Sequence, residues 1–303
     1  LQSIFLTGSN GFLGKHIHKH FSLKYRIVAP TRHELDLTNT SDVNHYFSLC
    51  DPVDFFINSA HAGVAKSSIK LEKDYLNENL TLFKNVFNYG KNAKKFIQLG
   101  SGAEYSKPFY KDNMQEEDAG IFRPTDSYGL SKFFIGQLLE QQHTGRYVNL
   151  RLFGVFGPGE DFKTRFISNA IVRSLLNLPI IINQNSIFDY TYIDDFLKIL
   201  YFFIGNHTQH ISYNITSGEP ISLIEIAQIV HDLTNNPYDL IIKNNLIKEN
   251  YTGSNERLIK FLPKNFTFTP INSAIEKLIH WYDQYLFQLN RDDLDFLKKM
   301  SGT

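Results

Sequence analysis

Short apolar runs alternate with longer stretches of helical period through the first half of the chain. The runs at 4–7, 26–29, 55–59, 96–100 and 148–153 predict strands. Helical periodicity predicts helices from about residue 12, over 71–89 and over 127–142. Apolar strands separated by helices imply a parallel sheet covered on both faces. The expected fold class is therefore α/β, with a doubly wound parallel sheet that binds ligands beyond the carboxyl ends of its strands. After Gly157-Pro158-Gly159 the rhythm changes: elements shorten, and loops become richer in Asn, Pro and Thr. Helices are expected over 166–176, 222–233 and 271–286, and the charged tail from about 290 is expected to be loosely held. Residues 1–162 are read as the sheet domain, with 187–212 returning to it. Residues 163–186 and 213–303 are read as a smaller α/β lobe that supplies the substrate site.

Composition narrows the function. The 303 residues carry 31 Lys+Arg and 31 Asp+Glu, a formal net charge of zero. A nucleic-acid surface needs a basic stripe, so no nucleic-acid partner is expected. The longest apolar stretch, 196–204, is interrupted by Lys198 and falls far short of the roughly 20 residues that span a bilayer, so no membrane partner is expected either. The first apolar run comes at once, without a basic segment, which reads as no export signal. Cys50 is the only cysteine, which excludes an intrachain disulfide and a multi-cysteine zinc site and suggests a reducing, cytoplasmic setting. His16 and His20 stand at i, i+4 on the first helix but read as a solvated face, and no metal is expected. The abundance of Phe (26) and Tyr (16) is assigned no function.

The first strand runs into Gly8-Ser9-Asn10-Gly11-Phe12-Leu13-Gly14. Such a turn brings backbone N–H groups against a pyrophosphate, and the partially positive start of the next helix points at it. Gly14 lets that helix pack closely on the strand. Following an apolar strand, the spacing is a dinucleotide signal. The second strand ends in Val28-Ala29-Pro30-Thr31-Arg32. A site for NAD usually carries an acidic residue here. Arg32 instead suits a 2′-phosphate, so NADP(H) is favoured over NAD(H), with Asp36 turned to the adenine.

Tyr128 and Lys132 stand at i, i+4 on one helix face. An ammonium beside a phenol favours the phenolate and makes the tyrosine a usable general acid and base. Ser101, at the end of the fourth apolar run, can hydrogen-bond the same reacting oxygen. The glycine turn, Ser101 and the Tyr-x-x-x-Lys pair resemble the extended short-chain dehydrogenase/reductases of the NAD-dependent epimerase/dehydratase family, which act on nucleotide sugars. Arg32-His33-Glu34-Leu35-Asp36-Leu37, Arg151 to Gly159, Tyr192 to Asp195 and Tyr213 to Gly218 resemble that family's landmarks in order. Within it, the GDP-fucose-synthase-like 4-ketoreductases share the Arg-x-Glu-Leu-Asp-Leu character.

The resemblance implies a Rossmann-type sheet and hydride exchange at a sugar C4, with Tyr128 moving the O4 proton, Ser101 polarising the carbonyl and Lys132 holding the nicotinamide ribose. It implies further cofactor contacts from Leu37, Ser59, Ala60, Asn79, Phe153 and Val155. Dehydratases of the family carry an Asp-Glu pair where this chain has Gly102 and Ala103, which move no protons. The epimerising Cys and His of GDP-fucose synthase match Ala103 and Arg165. What remains is NADPH-dependent reduction of a nucleotide-linked 4-keto-6-deoxy sugar, GDP-, CDP- or dTDP-linked, for surface-polysaccharide sugars. The rivals are a 4-epimerase with bound NAD and a non-catalytic NADP-binding regulator. Family ligands of the substrate diphosphate are replaced by Gly154 and Phe188, which leaves Lys163, Arg165 and Arg257 as candidate phosphate contacts. The resemblance also implies a homodimer paired through the helices at 71–89 and 127–142. Glu104 lies one residue past Ala103, where strand alternation turns it away from Ala103's side, and it is assigned no role.

Overall fold

The computed structural model describes residues 1–62, 72–143, 145–248 and 250–301. Strands β1 (Ser3–Thr7), β2 (Arg26–Val28), β3 (Phe55–Asn58), β4 (Lys95–Ser101) and β5 (Tyr147–Leu152) alternate with helices α1 (Phe12–Phe21), α2 (Thr40–Ser48), α3 (Glu72–Gly90) and α4 (Ser127–Glu140). Residue 71, where the third helical pattern was expected to begin, lies outside the described residues. Then come β6 (Gly154–Phe156), α5 (Phe166–Leu175), β7 (Ile181–Ile182), β8 (Ile187–Tyr192), α6 (Ile193–Gly205) and β9 (Ser212–Ile215). The chain continues through β10 (Pro220–Ser222), α7 (Leu223–Thr234), β11 (Ile241–Ile242), β12 (Asn250–Tyr251), α8 (Glu256–Phe261), α9 (Ile271–Tyr285) and α10 (Arg291–Ser301).

Two compact units result. The first holds Leu1–Phe153, Leu197–Ile215 and Gly253–Lys264; the second holds Gly154–Phe196, Thr216–Thr252 and Asn265–Thr303. The chain thus leaves the sheet unit at residue 154 and returns to it at 197–215, later than the 187–212 expected. Residues 253–264, expected in the second lobe, also lie in the first unit. The reason is pairing: β8 is bonded to β6, β10 and β12, all within the second unit, whereas β9 pairs with β5 and extends the main sheet.

The first unit is a Rossmann-like sheet of order β2-β1-β3-β4-β5-β9, parallel throughout. Strands β1, β3 and β4 are buried at every position, as strands sandwiched between helix layers must be. The abundant phenylalanines have a packing role here. Phe5, Phe56 and Phe96 are register partners on three neighbouring strands. Their rings stack with centroids 5.0 and 5.3 Å apart. Such pairs contribute about 0.5–1.5 kcal/mol each beyond the area they bury. Helix α1 lays Gly14, Ile17 and Phe21 against the sheet, an i, i+3, i+7 stripe. The strand order reverses between β1 and β3, and the crevice beyond their carboxyl ends is where a parallel sheet takes its ligand.

In the second unit α5 packs against α7 and α9. The tail expected to be loose forms α10. Its charged sequence conceals an apolar stripe: Leu297 is fully buried, and its carbonyl accepts from the buried Arg173 guanidinium at 2.8 Å. At the other end of α10, Asp293 pairs with Lys163 at 2.5 Å.

Candidate active site

The cleft at the β1/β3 switch encloses about 250 Å³ and is lined by the glycine turn, the segments that follow β2 and β3, and Glu78 and Leu82 midway along α3. Gly8 adopts a left-handed φ of +69°, and a Cβ there would lie 2.8 Å from the Ala60 backbone nitrogen. A Cβ on Gly14 would overlap the Gly8 carbonyl. The Gly11 amide closes the turn onto the Gly8 carbonyl oxygen at 3.0 Å. These close approaches account for the glycines, since no side chain separates the turn from a ligand's phosphates. Gly8, Ser9, Asn10 and Gly11 line the cleft, while Phe12 and Leu13 open α1 behind it.

The far wall is fixed by buried polar groups. The Thr7 hydroxyl accepts from the Ser59 and Ala60 amides, both at 3.1 Å, and donates to Asn58 Oδ1 at 2.6 Å. Asn79 Oδ1 accepts from the Ala62 amide at 2.8 Å, and its Nδ2 donates to the Tyr75 and Ala62 carbonyls. Asn79 therefore acts here through the backbone it holds. Arg32 stands at the cleft mouth with its side chain 69% exposed, 3.6 Å from the Glu78 carboxylate of α3. Asp36 Oδ1 accepts from the Thr38 amide and hydroxyl at 3.0 and 2.7 Å, and Leu37 lies beside it in the lining. A cradle that side chains would fill, with a guanidinium at one end, fits a dinucleotide.

Ser101 ends β4, and the single helical turn Gly102–Glu104 follows. Its hydroxyl accepts from the Ala103 amide at 3.1 Å. Asp126 caps α4 by accepting from the Gly129 amide at 2.8 Å, which sets Tyr128 in the first turn. Gly129 brings that turn against the one after Ser101, because a Cβ there would lie 2.7 Å from the Ala103 carbonyl oxygen. Tyr128 is 36% exposed, unusual for a large ring and apt for a residue that meets a ligand. Lys132 is buried, its Nζ donating to the Leu99 carbonyl at 2.9 Å and lying 5.8 Å from the Tyr128 ring centre. Ser101 thus ends β4 next to the turn that α4 meets at Gly129, and Tyr128 and Lys132 lie on that helix.

Two lining residues carried no motif. Glu78 belongs to the polar face of α3, and His61 follows Ser59-Ala60 and sets its ring edge-on to Tyr128, with centroids 5.8 Å apart. Only the folded chain reveals either. Glu104 is not a turned-away strand residue. The strand stops at Ser101, and the turn sends the Glu104 side chain inward, where it is 2% exposed and bonds Arg151 Nε at 2.7 Å. Burial works against the Arg151 charge, and Glu104 overrides it, raising that group above its ordinary range.

The remaining residues fall in separate places. Phe153 closes the first unit beside Tyr105, at 6.0 Å between ring centres. Val155 lies in β6 opposite Thr191, and Arg165 precedes α5, both in the second unit. Arg257 lies in the first unit with its guanidinium engaged, 2.5 Å from the Glu117 carboxylate and donating to the Ser212 carbonyl at 2.9 Å.

A parallel sheet with a glycine-walled cleft at its switch point, and a Tyr-x-x-x-Lys helix beside it, defines an enzyme of the NAD(P)-dependent, Rossmann-fold class. Comparison with known proteins gives the family. The chain belongs to the NAD dependent epimerase/dehydratase family, whose model matches residues 4–216. It is 24% identical over 247 residues to a GDP-L-fucose synthase of Sinorhizobium fredii, covering 75% of this chain and 78% of that protein. Its fold is similar to that of a GDP-mannoheptose C4 reductase from Campylobacter jejuni with NADP bound, with a TM-score of 0.79 at 18% identity over 93% of this chain and 98% of the other. It is also similar to a UDP-glucose 4-epimerase from Thermotoga maritima, with a TM-score of 0.78 at 17% identity over 94% and 100% of the two chains.

Proposed function

We propose that this chain is an NADPH-dependent reductase of the C4 ketone of a nucleotide-linked 4-keto-6-deoxy sugar. The observation that carries the reading is Arg32 at the cleft mouth, since a guanidinium complements a 2′-phosphate that a carboxylate would repel. A reductase draws on free NADPH, whereas a 4-epimerase retains NAD. Bound NADPH supplies the hydride. Tyr128 gives its phenolic proton to the sugar O4. Ser101 donates its hydroxyl hydrogen to the same oxygen, which can only accept, while its own oxygen accepts from the Ala103 amide. Lys132, seated on the Leu99 carbonyl, keeps a positive charge beside the phenol and reaches the nicotinamide ribose. Gly102 and Ala103 offer no acid or base, so no dehydration accompanies the transfer. Arg165 is assigned to the substrate phosphates, and Arg257 takes that role only on leaving Glu117. The resemblance further supports a cytoplasmic homodimer through α3 and α4, which light scattering tests: a monomer at all concentrations overturns it.

One observation favours a second reading. Glu78 is a carboxylate in the same cleft, and carboxylates accept from the ribose hydroxyls of NAD. A 4-epimerase with retained NAD uses the same Tyr128 and Lys132. A panel of GDP-, CDP-, dTDP- and UDP-linked ketosugars separates the two. Loss of NADPH absorbance with formation of the C4 alcohol supports the reductase. Tightly bound NAD with interconversion of C4 epimers supports the epimerase and overturns it.

A further inference from the structure

The carboxylate of Glu104 has four close donor contacts and no exposure to solvent worth the name. Oε1 accepts from the Ser101 amide at 3.2 Å and from Asn149 Nδ2 at 3.1 Å. Oε2 accepts from Asn149 Nδ2 at 3.0 Å and from Arg151 Nε at 2.7 Å. Backbone on two sides is cut away to admit it: a Cβ on Gly100 of β4 would overlap Oε1, and one on Gly136 of α4 would overlap Oε2. Three elements are thus built around one carboxylate, and it closes a reciprocal pair with Ser101. The Ser101 hydroxyl accepts from the turn's backbone at Ala103, while the Glu104 side chain accepts from the Ser101 backbone amide. The Ser101 amide and one lone pair of its hydroxyl are thus engaged within the turn, which sets the hydroxyl oxygen's place while its hydrogen points to another acceptor.

We propose that Glu104 is a positioning residue, which Arg151 holds in place and which aims the Ser101 hydroxyl at the reacting carbonyl oxygen. The inference rests on the reductase reading only for what Ser101 acts on; the geometry of the turn stands apart from it. A carboxylate is required because all its partners are donors. Asn149 presents Nδ2 rather than Oδ1, since an oxygen there would face the carboxylate. A glutamine would set an amide N–H against one of these donors. An ion pair placed only for stability needs Arg151 and an anion, and would not need the bond to Ser101.

The test uses Glu104→Gln, Glu104→Ala and the double variant Glu104→Ala/Gly136→Glu, which returns an anion to the same cavity from α4. Hydrogen–deuterium exchange over 101–105 in the nucleotide-free protein reads the turn without any substrate. Exchange at Ser101 is expected to quicken at least tenfold in Glu104→Gln, with NADPH Kd within twofold of the parent. Unchanged exchange overturns the proposal even where no ketosugar is turned over. With a working substrate, kcat is expected to fall at least thirtyfold at nearly constant KM. In the double variant Tm recovers while kcat stays low. Recovery of kcat together with Tm reduces Glu104 to charge compensation and overturns the positioning role. Absence of turnover in the parent protein counts against the reductase reading alone.

Discussion

The Arg32 guanidinium and the Glu78 carboxylate stand 3.6 Å apart at the mouth of the dinucleotide cleft, one following β2, the other on α3. A 2′-phosphate arriving there competes with Glu78 for the guanidinium. Arg32→Ala should weaken NADPH binding by the worth of one charge-assisted contact, at most about 1.5 kcal/mol because solvent screens so exposed a group, and leave NADH unchanged. Glu78→Gln should tighten NADPH several-fold by freeing Arg32, and weaken NADH. Fluorescence titration with both nucleotides checks this; equal effects on the two would remove the pair from cofactor choice.

Tyr128→Phe removes the proton and keeps the ring. Turnover should fall by about 10²–10⁴, the range for losing a positioned acid, while NADPH affinity holds. Steady-state assay with parallel binding titration measures it. Substantial residual turnover takes the proton-transfer role away from Tyr128.

Gly14→Ala forces backbone apart, because its Cβ would overlap the Gly8 carbonyl. Loss of the turn should abolish NADPH binding and lower Tm. Calorimetric titration beside a melting curve decides between loss of the turn and loss of the whole fold, and unchanged binding would show that α1 can retreat.

In the second unit, burial pushes the Glu160 carboxyl up to about 7, although the Ser168 hydroxyl donates to it at 2.5 Å. The unfolded chain releases this proton near 4.5 and the folded chain near 7. The folded state therefore binds the extra proton between those values. The group's contribution is full below pH 4.5 and is lost as pH rises through 7. Glu160→Gln keeps an acceptor for Ser168 and removes the ionisation. It should raise stability at pH 8, by up to about 3 kcal/mol, and change it little at pH 5. Urea unfolding at the two pH values tests the sign; equal effects at both would mean that Glu160 does not ionise on unfolding.

The five strands and three of the four helices through residue 153 are legible from period and apolar runs, because local sequence dictates both; α2 is not, since its nine residues bury only Val43 and show little apolar stripe. The glycine turn, Arg32, Ser101, Tyr128 and Lys132 were readable for a related reason: each belongs to a short segment whose spacing carries its chemistry. Glu78 and His61 were not readable, since their place in the cleft depends on which helix face and which strand end meet across the sheet. The helix of the tail is not legible in the sequence because its charges outnumber the few apolar positions that seat Leu297.

Glu104 marks the boundary between the two kinds of information. By itself the sequence determined a parallel α/β sheet, a dinucleotide turn and a Tyr-Lys-Ser set, all set by contacts within a few residues or by side-chain periodicity. Only the tertiary structure decided that the strand ends at Ser101, that two glycines from β4 and α4 open a space, and that Arg151 of β5 fills the other side of it. A buried carboxylate is stable only where several donors converge, and convergence of groups 30 or more residues apart is a property of the packed chain.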